Sequence, residues 1–220
     1  MPSLRSAVFI LSVAVCVRLG AQNELRQYKE THGSRVSLVE YAVSRTETEI
    51  SVRSSGNGAT DEMQWVPGNG TVSWREKDTV LDNDMLAERT GDIIRIKGRV
   101  RGQESDREVH IDGAPWYQIF GPIVYDLLPP GMAEREFWVI DSTDFTAHKM
   151  LVRRAGAEIL SLRGSRIETE KIHFSPAGAL APFWGADFWY RQRDAAWLYS
   201  RLPENGGVTV DELEEPGAEG

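Results

Sequence analysis

Met63-Gln64-Trp65-Val66-Pro67-Gly68-Asn69-Gly70-Thr71-Val72-Ser73-Trp74 is the stretch that decides the fold of this chain. Two β-rich runs, Met63 to Val66 and Thr71 to Trp74, flank Pro67-Gly68-Asn69-Gly70. Asn-Gly between such runs is a strong hairpin signal, because both turn residues tolerate positive φ. The same punctuation continues on both sides. Val36 to Val43 and Glu49 to Arg53 are separated by Ser44-Arg45-Thr46. Ile93 to Ile96 follows Thr90-Gly91-Asp92 and is answered by Glu108 to Asp112 across the polar turn Gly102 to Ser105. Glu136 to Asp141, Phe145 to Val152, Glu158 to Leu162 and Arg166 to Phe174 come next, with Ala155-Gly156-Ala157 expected as a hairpin link. Phe183 to Tyr190 and Ala196 to Leu202 flank the turn Arg191 to Asp194. Roughly ten strands with turns every eight to twelve residues predict a mainly β chain. The expected fold is a curved antiparallel sheet, half-barrel or barrel-like, wrapping a short apolar helical segment.

That helical segment is expected in Ala114 to Leu128, an almost continuously apolar run closed by Pro129-Pro130-Gly131. Pro115 suits the first position of a helix and Pro122 interrupts one, so the segment reads as two short helical pieces. A run this apolar must be covered, and the concave face of the sheet is the natural cover. It is then either an ordinary core plug or the floor of a ligand cavity.

The two ends of the chain read differently from its middle. Arg5, the apolar run Ala7 to Val17 broken only by Ser12, and Leu19-Gly20-Ala21 before Gln22 have the layout of an export signal. The run is too short to span a bilayer as a helix of ~20 apolar residues. Residues 1–21 are therefore expected to be a signal peptide, residues 22–203 a single β-rich domain, and residues 204–220 an acidic mobile tail. The stretch Asn23 to Thr31 reads as a polar mature amino terminus or tether. The sole cysteine, Cys16, lies inside the leader and is preceded by Val15 rather than a small residue, which disfavours a lipoprotein. The expected location is the periplasm or the extracellular space.

Charge bounds the partners. With Arg5 and Arg18 removed, 23 of the 25 Lys and Arg remain against 33 Asp and Glu, a net charge of −10. So acidic a chain, without a Lys/Arg cluster, excludes a nucleic-acid face and suits neither anionic membrane surfaces nor membrane integration after cleavage.

Catalytic motifs are sparse. His110 with Asp112, and Asp144 with His148, would share strand faces, as a carboxylate-oriented imidazole in a hydrolase requires. The four histidines, His32, His110, His148 and His173, lack metal-ligand spacing. No Gly-x-Ser-x-Gly elbow or phosphate loop is present. Asn69-Gly70-Thr71 fits a glycosylation pattern, but its place in a turn explains it without a sugar. No catalytic residue, metal site or cofactor is assigned. Aromatic residues carry the stronger signal. Phe183, Trp184, Phe188, Trp189, Tyr190, Trp197 and Tyr199 crowd the last two strands, more than a one-sided core needs. Strand alternation places Trp184, Phe188 and Tyr190 on one face and Trp189 on the other, with Trp197 and Tyr199 sharing a face.

Phe188-Trp189-Tyr190, Trp197-Leu198-Tyr199 and Asp211-Glu212-Leu213 resemble the ending of uncharacterised bacterial envelope proteins. Those families have long β meanders and a late Trp-Tyr strand with an aromatic return strand; the resemblance covers Glu136 to Leu213. More distantly, the plan resembles periplasmic lipoprotein carriers, whose curved sheet wraps short helices around an apolar cavity, although a second helical insert is missing here. The apolar plug and the aromatic excess on the final strands point to an exported, non-enzymatic protein that binds an apolar or lipid-like ligand in the concavity of its sheet. The residues expected to line the site are Trp116, Phe120, Tyr125, Trp138, Trp184, Phe188, Trp189, Trp197 and Tyr199. A structural or protein-interaction component of the cell envelope is the rival expectation.

Overall fold

The computed structural model describes residues 22–118, 121–141, 144–178, 184–203 and 206–213. The strands are β1 (Gln22–His32), β2 (Arg35–Arg45), β3 (Ile50–Gly56), β4 (Ala59–Val66), β5 (Gly70–Asp78), β6 (Asn83–Thr90) and β7 (Ile93–Val100). They continue as β8 (Gln103–His110), β9 (Glu134–Ile140), β10 (Ala147–Leu162), β11 (Ser165–Pro176), β12 (Ala186–Arg191), β13 (Trp197–Leu202) and β14 (Gly206–Leu213). All belong to one antiparallel sheet of 14 strands, ordered β8-β7-β6-β5-β4-β3-β2-β1-β14-β13-β12-β11-β10-β9. The sheet is curved and unclosed, and the one helix among the described residues, a 3-10 helix over Gly121–Leu127, sits against it. No described helix is long and apolar enough to cross a membrane.

The first and last strands lie in the middle of the sheet, and both differ from the sequence expectation. β1 occupies the stretch expected to be a polar terminus or tether. It pairs with β2 along its whole length and with β14 from Gln27 to His32. A strand laddered on both sides needs few apolar residues. Tyr28 is wholly buried while Leu25 stays half exposed. β14 likewise carries the sheet past residue 203, where the domain was expected to end. Its Val210 is buried, and a Cβ on its Gly207 would overlap the Tyr199 hydroxyl. Residues 214–220, the remainder of the expected acidic tail, lie outside the described residues, as does the expected signal peptide.

A third difference concerns Ala155-Gly156-Ala157, which is no hairpin. β10 runs unbroken for 16 residues, and Gly156 (φ +105°) marks a β-bulge in its pairing with β11. A bulge inserts one extra residue and bends the strand without reversing it. The reversal comes at Arg163 and Gly164, both at positive φ.

The apolar segment also departs from expectation. Pro115 does not open a helix. Pro115 to Tyr117 form an extended strap that joins two distant parts of the sheet. Thr71 N donates to Trp116 O (2.6 Å), Trp138 N donates to Pro115 O (2.8 Å), and Tyr117 N donates to Trp138 O (2.8 Å). The start of β5 and the outer edge of β9 are thereby bridged. Pro122 begins the 3-10 helix instead of breaking one, in keeping with proline's missing donor at a first turn. Ile123, Val124 and Leu127 point into the main core, among Tyr28, Trp65, Phe137 and Tyr190. A second core, around Trp74, Ile94, Ile96, Trp116, Ile140 and Phe145, fills the space where β5 to β8 curl over the strap.

Gly70 permits the strap. Its φ is +85°, and a Cβ there would overlap the Trp116 carbonyl oxygen and press on Pro115. Gly68 has almost the same φ, +86°, with nothing within 4 Å of its would-be Cβ. Gly68→Ala is therefore expected to cost only the conformational strain, roughly 1–2 kcal/mol. Gly70→Ala should cost a further ~1–3 kcal/mol through overpacking. Urea unfolding of both variants measures the difference, and equal losses would show that the strap does not constrain the turn.

Candidate functional site

Sheet register gathers side chains from seven consecutive strands onto the concave face. Phe174 stands opposite Ala186, Phe188 opposite Ser200, Ser200 opposite Val208, and Glu30 opposite Val210. Together with Tyr41, Met150, Trp184, Trp197 and Leu202 they surround a partly open cavity of about 380 Å³, with Gly121 in its wall. A volume of that order suits a small apolar molecule. Trp197 packs so closely on Gly121 that any Cβ there would overlap its ring. Its indole N–H is buried with no hydrogen-bond partner among the described residues.

The helix beneath is fixed by polar contacts. Tyr190 Oη donates to Gly121 O (2.6 Å), and Arg45 Nη2 holds the Asp126 carboxylate (2.9 Å). Tyr125 Oη and Arg154 Nη1 both donate to Glu170, each at 2.7 Å. The Arg154 guanidinium lies 4.8 Å from the Tyr125 ring centroid. Tyr190 is wholly buried, and burial holds its hydroxyl well above the usual phenol range.

Of the aromatic residues nominated by sequence, Trp184, Phe188 and Trp197 meet at this cavity. The others go elsewhere. Trp116 is wholly buried in the second core. Trp138 packs against that core, its Nε1 donating to Asp112 (2.8 Å) and its ring 6.0 Å from Lys149 Nζ. Tyr125 is engaged by Glu170 as described, and Phe120 lies outside the described residues. Trp189 and Tyr199 pack together on the outer face with tilted rings, their centroids 5.1 Å apart. Trp197 and Tyr199 do not share a face, because a β-bulge separates them. Tyr190 pairs with Trp197 while Trp189 pairs with Tyr199, so Leu198 is the extra residue. Trp197 consequently turns inward onto Phe188 and Tyr28.

The pairs considered for acid–base chemistry fare unequally. Asp112 is not joined to His110; its oxygens accept from Trp138, Lys149 and the Ala114 amide. Those bonds, led by the one from Lys149, hold its carboxyl well below the usual range. Asp144 and His148 do meet, through Thr146. Thr146 Oγ1 donates to Asp144 (2.7 Å) and lies 2.8 Å from His148 Nε2. Ligand atoms of Asp141, Asp144 and His148 all lie within 4.8 Å of one another, with Asp144 and His148 exposed.

Sequence reading missed two polar arrangements that only register reveals. On the outer face, Asp187 accepts from His173 Nδ1 (2.7 Å) and Arg201 (2.6 Å), with Lys171 Nζ at 3.2 Å. Burial opposes ionisation of Asp187, but these three donors prevail and lower it. Among the described residues no hydroxyl or thiol is hydrogen-bonded to His173. On the concave face, Tyr41, Ser54, Asp61 and Glu76 stand opposite one another across β2, β3, β4 and β5. Burial raises Glu30 despite a bond from Tyr41, and raises Asp61 despite bonds from Trp74 and Ser54. Glu76 is buried and accepts from Asn83 Nδ2 (2.6 Å), while Asn83 Oδ1 accepts from the Arg101 amide (2.8 Å).

A larger hollow, of about 620 Å³, lies on the other side of the sheet. The cross-strand row Leu25, Ala42, Arg53, Glu62, Arg75 and Leu86 runs along it. Its lining is mixed, with Leu25, Ala42 and Leu86 beside Arg53, Glu62 and Arg75, and none of the aromatic residues nominated from sequence lines it. The smaller concave cavity has the aromatic walls and the desolvated carboxyl.

No family model matches the chain, and no curated protein matches it. Among solved structures, it is similar to a β-barrel-like protein of the domain of unknown function DUF1849 from Brucella abortus. The TM-score is 0.54 at 8% identity, covering 87% of this chain and 96% of that one. The fold is β-barrel-like. At that identity the likeness carries the architecture alone. A DUF1329 family protein from Desulfovibrio piger aligns over 88% of this chain and 85% of its own, with 8% identity and a TM-score of 0.31.

Burial pushes the Glu76 carboxyl up to about 7, with Asp61 and Asp78 adding to the shift and the Asn83 bond opposing it. A carboxyl raised on folding stabilises least when ionised. Its penalty is absent below the unfolded value near 4.5 and grows as pH rises through about 7. Glu76→Gln should therefore match the parent near pH 4 and exceed its stability by on the order of 3 kcal/mol at pH 8. Urea unfolding across pH checks this; a difference that does not vary with pH would contradict it.

Proposed function

We propose that this chain is an exported, non-enzymatic periplasmic protein that binds an apolar or lipid-like ligand in the concave cavity of its β-barrel-like sheet. The observation that carries the reading is the cavity itself. Phe188, Trp184, Trp197, Met150, Leu202 and Val208 form apolar walls around about 380 Å³ of space that the neighbouring side chains leave unfilled. Filling such space with an apolar ligand removes aromatic and aliphatic surface from water, at roughly 25 cal/mol for each Å² buried. The pinned 3-10 helix supports the reading from below. Its polar ties to Tyr190, Arg45 and Glu170 keep a fixed floor, so the cavity does not have to be organised when a ligand arrives. The export-type leader and the net negative charge support a ligand met outside the cytoplasm and away from anionic surfaces.

Native mass spectrometry of the protein purified from its own envelope, followed by solvent extraction, tests the reading. An added mass that extracts as an apolar molecule supports it. A clean apo mass, with no uptake of an added long-chain alcohol, favours the protein-interaction role instead. Substitution then locates the site. Trp184→Ala, at the half-buried cavity wall, should weaken alcohol binding about tenfold, an order of magnitude set by the loss of one large aromatic contact. Trp189→Ala, on the outer face, should leave the affinity unchanged. Equal effects of the two, followed by fluorescence or calorimetry, would move the site off the concave face.

A further inference from the structure

Apart from the Ser200 hydroxyl on β13, the strand side chains of the cavity wall are apolar except where β1 and β2 contribute Glu30 and Tyr41. Inward orientation of Glu30 follows from its register. It stands opposite Val210, a buried residue of the core, and two positions from the wholly buried Tyr28. Tyr41 is itself only 7% exposed, and its hydroxyl is hydrogen-bonded to the Glu30 carboxyl. Among the residues whose side chains are described, no Lys, Arg or His forms an ion pair with Glu30. Beneath the cavity Glu170 and Asp126 are met by Arg154 and Arg45, and further along the concave face Asp61 is answered by Trp74 and Ser54 and Glu76 by Asn83. Glu30 has one donor and an open cavity in front of it.

A carboxylate lining an apolar cavity is costly unless something charged or strongly donating meets it. The nearest groups make that requirement sharper. Asp61 acts on Tyr41 from the next strands along, so the field at this end of the cavity is negative. An anionic head group brought here would face like charge in a poorly screened place. A cationic one would complete the missing pair, since an ammonium offers three donors and no acceptor.

We propose that the cavity selects apolar molecules carrying a cationic, amine-type head group, with Glu30 as the residue that receives it. This rests on the cavity being the ligand site and adds to it the polarity of the ligand. Tyr41 is the positioning residue, holding the carboxylate toward the cavity while the walls from Phe174 to Leu202 take the apolar chain. The reading assigns opposite preferences to molecules that differ only at one end.

Dodecylamine, dodecanol and sodium dodecanoate, each below its micelle-forming concentration, test it by titration against the intrinsic tryptophan fluorescence of the full folded protein. The amine should bind about tenfold or more tightly than the alcohol, the size expected for a hydrogen bond to a charged group, and the dodecanoate most weakly. Glu30→Gln should lose that advantage for the amine while leaving the alcohol unchanged. Dodecanoate binding as tightly as the amine, or an amine affinity untouched by Glu30→Gln, would overturn the head-group assignment while the alcohol still reports an apolar cavity. Failure of all three probes would overturn the cavity reading itself. Should Glu30→Gln not fold, the ranking of the three probes on the parent protein decides the matter alone.

Discussion

Three backbone hydrogen bonds made by Pro115 to Tyr117 hold the rest of this structure in shape. A sheet of 14 strands with a right-handed twist curls, and its two ends must either meet or remain as exposed edges. Here β8 and β9 do not pair. The strap ties β9 to the beginning of β5 instead, leaving β6, β7 and β8 to fold over it as a second layer. Apolar burial supplies the driving force for that layer, but the strap decides where it lands. Gly70 is the residue whose missing side chain lets the strap approach.

Once the strap fixes the two sides, the segment that follows it is delivered to the concave face. Pro122 starts the short helix, Tyr190 and Arg45 anchor it, and Trp197 closes over Gly121. The helix fills most of the interior with Ile123, Val124 and Leu127, and the cavity is the part it leaves open on the β10 to β14 side. The bulge at Leu198 is a further condition. Without it Trp197 and Tyr199 would point the same way, and the inner wall would lose one aromatic or the outer face its Trp189 partner. Architecture and cavity therefore have common causes in the same packing that stabilises the fold.

Much of the architecture was legible in the chain because hairpins are local. Pro67-Gly68-Asn69-Gly70 announced a reversal, although the tight turn centres on Pro67-Gly68 and positive φ falls at Gly68 and Gly70, not Asn69. Alternation correctly put Phe188 and Tyr190 on one face with Trp189 on the other. The errors arose where a strand's partners are distant. β1 looked like a tether because Glu24, Arg26 and Lys29 are charged, yet ladders on both sides keep it in the sheet. β14 looked like tail for the same reason. Gly156 imitated a turn because a bulge and a turn both use positive φ, and only the pairing with β11 separates them. The candidate site was legible in part. Trp184, Phe188 and Trp197 were nominated from their density along the chain, whereas Glu30 and Tyr41 gave no signal. An isolated carboxyl and an isolated phenol become notable only after register sets them at the same wall.

We propose that the concave cavity, and not the larger hollow on the outer face, receives an apolar molecule. A crystal structure of the protein grown with 12-bromododecanol tests it most directly, because the bromine can be located by its anomalous scattering. The account predicts a bromine peak enclosed by Trp184, Phe188, Met150 and Leu202. A peak beside Leu25, Arg53 and Leu86, or no ordered bromine at saturating alcohol, would contradict it.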